Sequence, residues 1–322
     1  MVDLPSLIFA WMEFMSIQKG QRPNTVMQYE KTVKAFFAWQ EENDRTTDSL
    51  CVGRDDIGEW MKSLFYDQGN VSNRTRASKL SALRSFFSWL EYEKYRGDNP
   101  TKEIPSPRVQ ETLPQKFSTE ELRLLFAAPS RDKVMGLRDL AMLKTMYAAG
   151  PRVSELVNLN LNHVIDTGGY IRLEIMDGKG GKSRTVTMRN NPSKALREWL
   201  LLRREIETTD PALFIRLKGP ARRLSAKSAQ NILKKYARVV GIDDAEVFVH
   251  KMRATFATDL YDSGNDHCPH CRKAINYVGI LEVALLLGHE NLDTVMRYVG
   301  ISDRVLRKTA IPDRRFNEIE SE

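Results

Sequence analysis

The sequence predicts a mainly α-helical protein with one small antiparallel β-sheet, built as an N-terminal helical bundle and a larger second domain. Three observations predict this. Apolar residues recur at helical spacing through residues 1–97. A proline-rich stretch then interrupts the pattern, with Pro100, Pro105, Pro107 and Pro114 inside Asn99–Pro114. Beyond it, two short alternating segments flank a glycine-rich turn, which is the pattern of a hairpin.

In the bundle, Leu4–Met12 reads as a buried amphipathic helix. It lacks a basic lead and Glu13 follows it, so it does not read as a signal peptide. Val26, Tyr29, Val33, Phe36 and Phe37 define a second helix, with Pro23 at its start, where a missing N–H costs least. Asp55–Tyr66 carries Ile57, Trp60, Met61 and Leu64 on one stripe, and Leu80, Leu83, Phe87 and Leu90 mark a fourth helix. Residues 1–98 thus form one domain, 99–116 a semi-extended linker and 117–322 the second domain.

The second domain opens with Ser118 and Glu121 at capping-box spacing. Tyr170–Ile175 and Ser183–Met188 are the predicted strands, with the turn Asp177–Lys182 between them. A helix runs from Ser225 to about Val240, with Ile232, Tyr236, Val239 and Val240 inward and Lys227, Lys234, Lys235 and Arg238 outward.

At 322 residues, two domains of ordinary size can each bury a core. The net charge of +7 suits a polyanionic partner. No stretch is long and apolar enough to span a membrane. Three cysteines, Cys51, Cys268 and Cys271, are too few for a disulfide framework and fit a reducing cytoplasm.

Arg152, Lys179, His250, Arg253, His289 and Tyr298 supply the parts of a phosphate-transfer site. Two guanidiniums can clamp the non-bridging oxygens of a phosphodiester. A lysine and two histidines can move protons or donate hydrogen bonds. A tyrosine oxygen can attack phosphorus and hold it covalently.

The text around these residues resembles the tyrosine site-specific recombinases, the phage-integrase and Xer family. Met142-Leu-Lys-Thr-Met-Tyr-Ala-Ala-Gly-Pro-Arg152-Val-Ser-Glu-Leu156 is similar to that family's first box. Gly178-Lys179-Gly-Gly-Lys-Ser-Arg184 is similar to its β-hairpin lysine segment, and His250-Lys-Met-Arg253 to its second box. Leu286-Leu-Gly-His289-Glu-Asn-Leu-Asp-Thr-Val-Met-Arg-Tyr298 is similar to its closing box, with the same nine-residue step from histidine to tyrosine. Pro151 and Ala254 depart from the usual text, where a bulkier apolar residue and a histidine stand.

The resemblance implies a catalytic domain over 117–322 in which Tyr298 attacks the scissile phosphate to give a 3′-phosphotyrosine and a free 5′-hydroxyl. Lys179 would protonate the leaving oxygen; Lys182 and Arg184 are its neighbouring competitors. Arg152 and Arg253 would grip the phosphate, His250 would assist the tyrosine, His289 would sit beside the phosphate, and Glu155 would buttress an active-site side chain. Double-stranded DNA is the implied partner, bound by a homotetramer on two sites, with no metal, ATP or redox cofactor. The N-terminal bundle would form the other half of a clamp around the duplex. Arg74, Arg76, Lys79 and Arg84 are its candidate DNA contacts, joined by Lys227 and Lys234 of the second domain. No arm-binding domain is expected ahead of the bundle, which would favour simple core sites. The tail, with Arg304, Leu306, Ile311 and Phe316, is expected to dock on a neighbouring protomer.

An insert at 265–279 carries His267, Cys268 and Cys271. One Cys-x-x-Cys pair is half a zinc site, so no stoichiometric metal is expected. The competing readings are a type IB topoisomerase or telomere resolvase, and a DNA-binding regulator with a degenerate site. Recombination could serve integration, excision or resolution.

Overall fold

The computed structural model of the chain describes residues 3–66, 71–109, 115–176, 183–243, 245, 247–262 and 280–288. They divide into two compact units, with the boundary between Glu111 and Thr112.

In the first unit, α1 (Leu4–Glu13) starts at Asp3, whose carboxylate accepts the Ser6 N–H at 2.8 Å. A π-helical turn, Phe14–Gln18, continues it. α2 (Pro23–Glu42) opens on proline, α3 spans Arg54–Tyr66, and α4 (Asn73–Tyr92) starts at the Ser72 cap. The four helices meet in an aromatic core. Trp11 packs edge-on against Phe86 at 5.3 Å, and Phe36 against Trp60 at the same centroid distance.

The residues after α4 are held by this unit. Ile104 joins its core. Arg84 donates to the Ile104 carbonyl and to Ser106 Oγ, and Asn73 donates to the Arg108 carbonyl at 2.7 Å. The first part of the proline-rich stretch is therefore fastened to the bundle. Prolines lack the N–H of a helix or sheet ladder, so side chains anchor the segment instead.

In the second unit, α5 (Thr119–Ala127) begins with the capping box: Ser118 N–H donates to Glu121 Oε2 at 2.6 Å, and Glu121 N–H to Ser118 Oγ at 3.1 Å. α6 (Val134–Ala149) is buried on nearly all sides, with α8 (Asn190–Glu205) and α10 (Val249–Asp262) packed on it. α7 (Val153–Asn158) and a 3-10 turn at Leu161–His163 lead into the sheet. β1 (Val164–Asp166), β2 (Tyr170–Met176) and β3 (Ser183–Arg189) form an antiparallel meander in that order, with Tyr170 opposite Arg189 and Met176 opposite Ser183. The sequence reading lacked β1, which is too short to show alternation. α9 (Ala226–Val239) and α11 (Ile280–Leu287) complete the described elements.

One helical face differs from the expectation. On α9 the buried residues are Ala229, Leu233, Tyr236 and Ala237, whereas Val239 is 66% exposed and Ile232 only partly covered. Two alanines complete an i, i+4, i+7, i+8 stripe, so the face centres on them rather than on the bulkier β-branched residues.

Candidate active site

The site forms where α6 ends. Gly150 adopts a left-handed backbone, φ +52°, and a Cβ there would lie 2.4 Å from the Phe256 ring of α10. Glycine thus permits both the turn and the close approach. The turn frees the Gly150 carbonyl, which accepts from Arg253 Nη1 at 2.6 Å. Arg152 follows as the N-cap of α7.

Glu155, one helical turn on, is buried and lies at the centre of three guanidiniums. Its Oε2 accepts the Arg152 backbone N–H at 2.8 Å, and its Oε1 accepts Arg152 Nη1 at 2.6 Å. Arg184 of β3 reaches both oxygens, with Nη2 to Oε2 at 2.6 Å and Nη1 to Oε1 at 3.2 Å. Arg253 Nη1 stands 3.8 Å from Oε2. Burial alone would raise the Glu155 pKa; the charge-assisted bonds from Arg184, then Arg152, outweigh it and bring the carboxyl from 4.5 down to about 2. Glu155 is therefore a carboxylate throughout the physiological range.

Arg253 is 1% exposed and comes from α10, as does His250. The two lie three residues apart on the same helix, at the spacing that places side chains on one face. Arg253 also donates to the Leu287 carbonyl, and Arg152 Nη2 donates to the Gly288 carbonyl at 3.1 Å. The end of α11 is thus tied to both arginines, immediately before His289. His250 keeps an open surface. Desolvation, then the positive Arg253 and Arg152, hold its imidazole below 6.5. For a side chain with an open face the two cations are the durable part of that effect. At neutral pH the ring is uncharged and can accept a proton.

The structure therefore brings together Arg152, His250 and Arg253. Lys179, His289 and Tyr298 lie outside the described residues, as do His267, Cys268, Cys271 and the tail with Arg304, Leu306, Ile311 and Phe316. Among the described residues, no group of three His, Cys, Asp or Glu side chains could hold a metal. No described helix is long and apolar enough to cross a membrane.

The candidate DNA contacts separate by environment. Arg74 and Lys227 are exposed, and Lys234 is partly so. Arg76 donates to Asn73 Oδ1 at 2.6 Å and lies over the Phe65 ring at 4.7 Å. Lys79 sits over the Trp60 ring at 5.3 Å, and burial, then the nearby Lys31, lower its pKa. Arg84 is engaged by Ile104 and Ser106.

Arg184 is a partner of Glu155 that its position in the sequence, five residues after Lys179, does not single out. One signal was available. Arg184 shares the strand face of Val186 and Met188, both buried. A charge in line with core residues at period two points inward and needs a partner.

Residues 115–304, more than half of the chain, match the model of the phage integrase family, and residues 8–94 match its N-terminal SAM-like domain. Tyrosine recombinase XerD of Vibrio cholerae is 29% identical over 306 residues, covering 94% of each chain. Tyrosine recombinase XerC of Syntrophus aciditrophicus is 30% identical over 323 residues, covering 97% of each. Two solved structures share the fold. The XerH site-specific recombinase in a post-cleavage complex with palindromic difH substrate has a TM-score of 0.69 at 19% identity, over 98% of this chain and 94% of that one. A lambda integrase dimer bound to a COC′ core site has 0.67 at 14% identity, over 97% and 100%. By these matches the chain belongs to the phage integrase family and is a tyrosine recombinase, an enzyme of site-specific recombination.

Proposed function

We propose that the protein binds double-stranded DNA and exchanges strands through a 3′-phosphotyrosine on Tyr298. The convergence of Arg152 and Arg253 on one ionised carboxylate, with neutral His250 on the same helix as Arg253, carries this reading. The two guanidiniums grip the non-bridging oxygens and stabilise the charge that builds on them in the transition state. His250 accepts the phenolic proton as the Tyr298 oxygen bonds to phosphorus. The bond from phosphorus to the 5′ oxygen breaks, and Lys179 supplies the proton that makes it a hydroxyl. His289 donates a hydrogen bond to the phosphate. A 5′-hydroxyl from a partner strand reverses the step, so each phosphodiester is broken and remade without an external energy source. Two duplexes and four protomers complete an exchange. Lambda integrase has been solved as a tetramer bound to a Holliday junction, a likeness of fold that supports this stoichiometry. The relatives favour recombination over the topoisomerase and inactive-regulator readings.

The test is covalent capture from a pool of duplexes with randomised sequence, each nicked so that a cleaved end diffuses away. The wild type should retain DNA through denaturation, and sequencing the retained DNA identifies the site. Tyr298→Phe should retain none; an adduct that survives this change would remove Tyr298 as nucleophile.

A further inference from the structure

Arg184 has no part in the steps above, yet its guanidinium forks across the carboxylate at the centre of the site. It is bound to both oxygens of Glu155, and its side chain is 10% exposed. Glu155 is also the residue that orients Arg152, through the backbone and the guanidinium at once. Three guanidiniums against one carboxylate leave the cluster with a net charge of +2.

The consequence of removing Arg184 follows from distance. Glu155 would remain ionised, with Arg152 as its close partner and Arg253 3.8 Å away. A buried carboxylate short of partners draws on the nearest cation. Arg253 would then be shared between Glu155 and the phosphate, and the cluster would present one positive charge fewer to the transition state.

We propose that Arg184 is a positioning residue for strand cleavage: it saturates Glu155, so that Glu155 can hold Arg152 in place without neutralising the clamp. This rests on the reading of Arg152 and Arg253 as the phosphate-gripping pair. An arginine that merely ties β3 to α7 would share the geometry but not the electrostatic consequence, and the experiment separates the two.

The full-length protein is assayed in single turnover on the duplex recovered by covalent capture. The duplex is made once with its normal scissile phosphodiester and once with a methylphosphonate there, in which a methyl group replaces one charged oxygen. On the phosphodiester, Arg184→Gln should slow cleavage by roughly tenfold to a hundredfold, because preorganised charge at the reacting phosphate is lost. DNA affinity should change less than about threefold, since the duplex is held mainly by other backbone contacts. Arg184→Lys, which keeps the charge, should cleave much faster than Arg184→Gln. On the uncharged methylphosphonate the gap between Arg184→Gln and wild type should nearly close. A deficit of equal size on both substrates, or a lysine variant as slow as the glutamine one, overturns the proposal and leaves Arg184 a structural tie. Should Arg184→Gln fail to fold, Arg184→Met, which removes the charge and keeps a long stem, carries the same comparison on the two substrates. A wild type that captures no duplex at all would instead defeat the reading of the site itself.

Discussion

Glu155 shows how far one side chain can organise a site. A carboxylate among three guanidiniums is held at a pKa of about 2, and folding keeps it charged where an unfolded chain would protonate it. Its pKa is depressed on folding, so its stabilisation is fully present above 4.5 and fades as pH falls toward 2. We expect urea unfolding to show the largest difference between wild type and Glu155→Gln at neutral pH, with the difference shrinking through that acid window. A difference independent of pH would show that the charge on Glu155 contributes nothing to stability. The role of Glu155 as a buttress was legible from its place one turn after Arg152. Its second partner was not, because Arg184 is far along the chain and reaches it only through the strand register.

Elements rather than residues set the spacing of the proposed clamp. α10 offers His250 and Arg253 to the site, and Lys251, Thr255 and Asp259 elsewhere around its axis. Thr255 Oγ1 accepts the Phe117 N–H at 2.9 Å, and Lys251 lies over the Phe117 ring at 4.6 Å. Lys116 stands 3.8 Å from Asp259, which also accepts from Tyr147 at 2.9 Å. The segment that enters the second unit is thereby fastened to the helix that carries the clamp. The left-handed end of α6 is the other fixed point. Gly150→Ala adds a Cβ 2.4 Å from the Phe256 ring and strains a φ of +52°. We expect it to cost about 1–3 kcal/mol of stability and to slow cleavage, because the Gly150 carbonyl receives Arg253. A Gly150→Ala protein that unfolds at the wild-type urea midpoint would refute the steric account. Helices were readable at this scale because their apolar stripes are long, and the two longer strands because they alternate. The facing of α9 was misjudged because small alanines, not β-branched residues, fill its contact.

Across the whole molecule, a charge of +7 makes affinity for DNA depend on salt. The positively charged side chains divide into exposed and engaged ones, and only the exposed ones are placed to release counterions. If Lys227 and Lys234 contact phosphates, each change to Gln should reduce the slope of log K against log salt by about 0.9. Arg84→Gln should leave the slope alone and lower the stability of the first unit, since that guanidinium holds Ile104 and Ser106. A slope that drops for Arg84→Gln and stays constant for the two lysines would reverse this division. Charge was visible in composition, but whether an arginine is spent inside the protein depends on which carbonyls folding brings near it.

Arg253 makes the same point in the site itself. Its guanidinium bonds the Gly150 carbonyl on one side and the Leu287 carbonyl on the other, so it is a non-covalent cross-link between distant parts of the catalytic unit. A cross-link needs two well-separated donors, which a planar fork has and an ammonium lacks. Under the role proposed for Arg253, the chemistry and the assembly of this unit share a fastener. If Arg253 grips the scissile phosphate as proposed, a slow variant at this position reports a loosened frame together with a lost phosphate contact, and the enzyme's rate and its architecture cannot be retuned there one at a time.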